Sequence, residues 1–185
     1  MKDFVKWILL GILLIPINAL CHESGHYLTG LFFGAENIVL HYASVSSDTD
    51  HLTGLQKGLI SIAGPLISYL FLIIGVVKTR SKINPIWFIL GIATTLRGLV
   101  NIPFLIGSFK GTVSSPNFDE YNFAINMNIS PIVVSIIALL ITLFACLYFS
   151  VLIYKKSGIV GIIKLWISVI TGLVSWGIFG KYLFP

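Results

Sequence analysis

The residues best equipped for chemistry stand together in "NALCHESGHYLTG", Asn18 to Gly30, inside an otherwise apolar run. Residues four apart on a helix share a face, so His22 and His26 can offer two imidazole nitrogens to one ion. Glu23 lies about 100° further round, close enough to meet a water activated at that ion. Two imidazoles, a carboxylate and an open fourth position make a catalytic zinc site, in which the neighbouring glutamate takes a proton from water and passes it to the leaving amine. Three such polar groups in a membrane span each cost on the order of 2 to 3 kcal/mol, whereas structural zinc returns about 10 kcal/mol or more. Metal ligation therefore explains the motif better than three unpaired core residues do.

A third ligand must come from the same side of the membrane, where the acidic residues are Glu36, Asp48, Asp50, Asp119 and Glu120. Asp119 and Glu120, in "NFDEYNF", stand before a later apolar run and are placed to begin a helix pointing inward. They suit a solvated loop or a helix cap equally well. His41 and His51 are alternative ligands in a surface hairpin. Arg97 can pair with Asp119, steady a developing oxyanion, or extend its charged head to the membrane surface; the last is the expected role.

The elements that position these groups follow from composition. Of 185 residues, 56% are hydrophobic and only 10% charged, which places the chain in the membrane class. The apolar runs are continuous, so they predict membrane helices and not the alternating strands of a barrel. We expect an all-α polytopic membrane protein with about five transmembrane helices and a short β-hairpin at the membrane surface after the first. The segments run from about Phe4 to Phe33, Leu55 to Val77, Ile83 to Gly107, Pro131 to Tyr154, and from the "KKSG" turn to near Tyr182. The hairpin occupies residues 37 to 54, and residues 108 to 130 form the longest polar stretch. No repeat or linker divides residues 1 to 185, so a single domain is expected, with a catalytic core at about 5 to 125 and additional helices at about 131 to 183. The first apolar run lacks small residues before a cleavage point and reads as a retained span, not a signal peptide.

The formal charge of +5 does not indicate nucleic acid, because the basic residues cluster at the ends of apolar runs. Lys2, Lys6, Lys78, Arg80, Lys82, Lys155 and Lys156 fall on one side, against Lys57, Lys110 and Lys181 on the other, which puts the amino terminus in the cytoplasm. His22 then lies about 24 Å beyond Lys6 along the helix, near the far edge of a core about 30 Å thick. The hairpin and the 108 to 130 stretch share that face. Cys21 and Cys146 lie within predicted spans and give no disulfide framework.

The set of "HESGH" in an early span, "AGPL" (Ala63 to Leu66) in the next, and Asn101 with Pro103 followed by an aspartate resembles the site-2 protease family of intramembrane zinc metalloproteases. The likeness covers about residues 5 to 125. It implies zinc as cofactor, His22, His26 and Asp119 as its ligands, Glu23 as general base, and Asn101 as a residue that helps position the scissile peptide. It also implies a membrane-protein substrate, cut in or beside its transmembrane segment within the bilayer, and a multi-pass protein of the cell membrane. The hairpin would resemble the family's membrane-edge sheet, which holds an unwound substrate by strand addition. The pattern departs from the family's in three places: "NIP" shortens the second motif, no glycine follows the aspartate, and Ser68 stands where an asparagine is common. Gly64 and Pro65 suit close helix packing at the start of a span, which is the role expected of them. A metal-ion transporter or non-catalytic metal-binding membrane protein, with Glu23 as a further ligand, is the alternative reading of the same residues.

Overall fold

The structure is a computed structural model that describes residues 2–112 and 118–184. Helix α1 (Lys2–Phe33) carries the histidine motif in its last third. It stops where Gly34 turns into the left-handed region at φ 78°. The Ala35 N–H then reaches the Gly30 carbonyl at 2.9 Å and the Gly34 N–H the Leu31 carbonyl at 3.1 Å, the paired bonds of a Schellman end. The chain enters the expected hairpin directly: strands β1 (Glu36–Leu40) and β2 (Val45–Asp48) pair antiparallel with Val39 opposite Ser46. A capping box between Thr53 and Gln56 starts α2 (Gly54–Thr79), which runs antiparallel to α1 and packs along it.

The third apolar segment forms one rod, Pro85–Lys110, with a tightened centre. Helix α3 (Pro85–Leu96) gives way to a 3₁₀ turn at Arg97–Val100 before α4 (Asn101–Lys110). Pro103 offers no N–H to the Leu99 carbonyl one turn earlier, which removes an α-helical bond at this point. The polar stretch that follows contains a short helix, α5 (Asp119–Asn126), so the acidic pair does begin a helix. Residues 113 to 117 of that stretch lie outside the described residues.

The fourth and fifth expected segments are joined in α6 (Pro131–Leu183), 53 residues long, with non-helical geometry only at Gly158 (φ 62°, ψ −162°). The chain reverses there. Before the break, Thr142 lies against Gly98 and Phe149 against Gly91, and Lys156 donates to the Thr79 carbonyl at 2.7 Å. After it, Lys164 meets Asp3 at 2.7 Å, Ser168 donates to the Trp7 carbonyl at 2.6 Å, and Trp176 reaches the hairpin. The reversal falls within "KKSG", where the sequence predicted a turn: Lys155–Ser157 complete the first half of α6 and Gly158 alone leaves helical geometry. Among the described residues, four helices are long and apolar enough to cross a membrane, where five segments were expected.

The two ends of this assembly differ in content. Towards the basic end, Phe88, Ile92, Phe149, Leu165 and Val169 form a fully buried apolar core with Trp7 and Leu14. Towards the hairpin end, the buried residues include His22, Glu23, His26, Ser68, Thr94, Asn101 and Glu120. Burying so many polar groups together is favourable only if they satisfy one another or hold something.

Candidate metal centre

His22 and His26 project from adjacent turns of α1 against α2, with their Nε2 atoms 3.1 Å apart. Each ring is held from behind. The Nδ1–H of His26 donates to the Ile60 carbonyl at 2.7 Å; a carbonyl only accepts, so a neutral His26 carries its proton there and bares Nε2. Nδ1 of His22 lies 3.0 Å from Ser68 Oγ, which can take its proton in the same way. Ser68 is fixed in turn, since its carbonyl accepts from Thr94 Oγ1 at 3.1 Å.

Asp119, the first residue of α5, completes the set. Its Oδ2 lies 3.0 Å from His22 Nε2 and its Oδ1 3.4 Å from His26 Nε2. With zinc–ligand bonds of about 2.0 to 2.1 Å, the edge of a tetrahedron of ligands is about 3.3 Å. The three separations are near that edge, the two carboxylate contacts being made by different oxygens, and one ligand atom from each residue lies within 4.8 Å of the others. With both rings protonated on Nδ1, each Nε2 offers a lone pair to an ion. These donors fit a divalent cation of zinc's preferences. Burial acts to raise the Asp119 carboxyl, but when the metal-free imidazoles carry a proton on Nε2 instead, their hydrogen bonds to it outweigh burial and hold the group below the usual carboxylate range. Glu23 stands just outside the group, its Oε1 4.0 Å from His22 Nε2.

Gly64 leaves the room that the site occupies. A Cβ built there would strike His26 Nε2 and lie 2.7 Å from His22 Nε2. The role expected of Gly64, close packing of helices, thus understates it: its missing side chain is what admits both imidazoles.

Glu120 is buried beside Asp119 but is not one of the three grouped ligands. Burial raises its carboxyl. Arg97 departs from the expected surface role: its Nη2 lies 2.9 Å from Asp119 Oδ2, making an ion pair inside the site. Asn101 is fully buried, with no hydrogen-bond partner for either amide atom among the described residues, and does not line the cavity beside the metal group. His41 and His51 stay in the hairpin region, bonded to Ser46 Oγ and the Gly34 carbonyl at 3.1 and 3.0 Å.

A cavity of about 430 Å³ opens beside the centre, lined by Glu23, His26, Arg97, Asp119 and Glu120 on one side and by Ala43 to Val45 and Ser47 of the hairpin on another. Val45 and Ser47 alternate inward along β2, as strand geometry requires. Composition and spacing did not reveal the Ile60 carbonyl, a backbone group without a sequence signal. Ser68 did carry one, as a hydroxyl in the span facing the motif. No family model matches the chain, and no curated protein or solved structure is significantly similar to it.

Proposed function

We propose that this chain is an intramembrane zinc metalloprotease of the site-2 protease kind, with His22, His26 and Asp119 as ligands and Glu23 as general base. The observation that carries this reading is the grouping of His22, His26 and Asp119, one ligand atom from each within 4.8 Å of the others, with a second carboxylate, that of Glu23, 4.0 Å from His22 Nε2 and not within the group. Bound zinc would supply Lewis acidity, acidifying water and polarising a carbonyl. Glu23, at the cavity, would accept a proton from the attacking water and return it to the departing amine. The cavity admits water and substrate to Glu23, and the edge of β2 offers backbone bonds to a segment that has left its helix. Exposed Leu9, Leu70, Ile137 and Phe179 face the bilayer.

Counting the two halves of α6 separately gives five crossings, since about 20 residues span a bilayer and each half exceeds that. Lys78, Arg80, Lys82, Lys155 and Lys156 lie at the end opposite the site, which favours a site near the non-cytoplasmic face.

The transporter reading requires Glu23 as a ligand and a path through the molecule. Glu23 stands apart from the ligand group, and the apolar core around Phe88 and Phe149 fills the bundle on the far side. Glu23→Gln tests the choice in proteoliposomes carrying single-span peptides. The protease reading expects zinc retained and cleavage lost; a variant that loses zinc, or one that still cleaves, overturns it.

A further inference from the structure

We propose that Arg97 is a positioning residue for the third metal ligand: it holds Asp119, and with it α5, in the ligating position before any metal arrives. This rests on the metal site proposed above. Helix α5 has only eight residues, and its N-cap residue, Phe118, makes no side-chain capping bond. A helix this short does not persist unaided, so tertiary contacts must hold it. Aromatic contacts among Phe104, Phe118 and Tyr121, with ring centres 5.5 to 5.9 Å apart, fix its apolar side. They do not aim the carboxylate.

Arg97 does. Its guanidinium lies 2.9 Å from Asp119 Oδ2, the same oxygen that sits 3.0 Å from His22 Nε2. The 3₁₀ turn at Arg97–Val100 puts this side chain beside the cavity, and Gly98, packed against Thr142, anchors the turn in the bundle. The fixed fork of donors on Arg97 suits one carboxylate orientation better than a lysine's point charge would. Its positive charge also opposes an incoming cation, so the two effects predict opposite signs for its removal. Positioning wins if the free carboxylate would otherwise swing out with its short helix.

The test compares wild-type, Arg97→Gln and Arg97→Lys proteins in detergent, measuring zinc affinity by chelator competition and hydrogen exchange of residues 119 to 126 in the metal-free state. We expect Arg97→Gln to weaken zinc by about 10- to 100-fold, as loss of partners to metal ligands does, and to speed exchange in α5. Arg97→Lys should lose less of both. Zinc bound as tightly or more tightly by Arg97→Gln, with exchange in α5 unchanged, overturns the proposal. So does lost proteolysis with both readouts at wild-type level, which would assign Arg97 to the substrate. A wild-type protein that binds no zinc refutes the metal site itself, and the exchange data would still show separately whether Arg97 holds α5.

Discussion

On one wall of the site, His22 and His26 stand a single turn apart on a 32-residue apolar helix, each ring braced from behind by α2. On the other, Asp119 arrives 97 residues after His22 on a helix of eight residues, braced by an arginine and an aromatic cluster. The histidine wall is set by helix geometry, and the bundle only tightens it. The carboxylate wall exists only once the tertiary structure has formed. Affinity should therefore fail sharply when the first wall is disturbed, and by degrees when the second wall's supports are removed.

The largest effect is expected from Gly64→Ala. The added Cβ occupies the space of the two Nε2 atoms, so purified protein should carry no stoichiometric zinc, while circular dichroism in detergent still shows a helical protein. Zinc bound normally by this variant would mean that the histidine wall is looser than its geometry implies. Next comes Asp119→Asn, which exchanges a charged ligand for a neutral one and should lower zinc affinity by more than about 100-fold, beyond the usual loss from a supporting residue. Its companion Glu120→Gln should leave affinity within a few-fold of wild type, because Glu120 is buried outside the ligand group. The reverse order would move the third ligand one residue along. The smallest effect is expected from Ser68→Ala, which frees the His22 ring at Nδ1 but leaves the span intact. Chelator competition should show a loss near about 10-fold, the lower end of the range for such partners.

The same contrast governs how much was legible in the sequence. Continuous apolarity predicted the helices long and apolar enough to cross a membrane, and the alternation and turn chemistry after Gly34 predicted the hairpin, because these signals are local. His22, Glu23 and His26 were legible for the same reason, since a four-residue spacing fixes their shared face. The reversal between the halves of α6 was legible too: "KKSG" reads as a turn, and its Gly158 is the residue that departs from helix. Arg97 was misjudged because the surface role expected of a cation in a span depends on what lies beside it, and Asp119 comes from another helix. Gly64 was undervalued on similar grounds, as nothing in "AGPL" says which atoms approach from α1. Asn101, singled out through the second motif, is buried, its amide has no partner among the described residues, and it does not line the cavity.

Most direct is a paired measurement on purified wild-type and Glu23→Gln protein: bound zinc by elemental analysis, and cleavage of single-span peptides in liposomes. Glu23 Oε1 stands 4.0 Å from His22 Nε2, outside the ligand group. We predict equal zinc in the two proteins and cleavage in the wild type alone; wild-type protein without zinc, or cleavage that survives Glu23→Gln, would contradict the account.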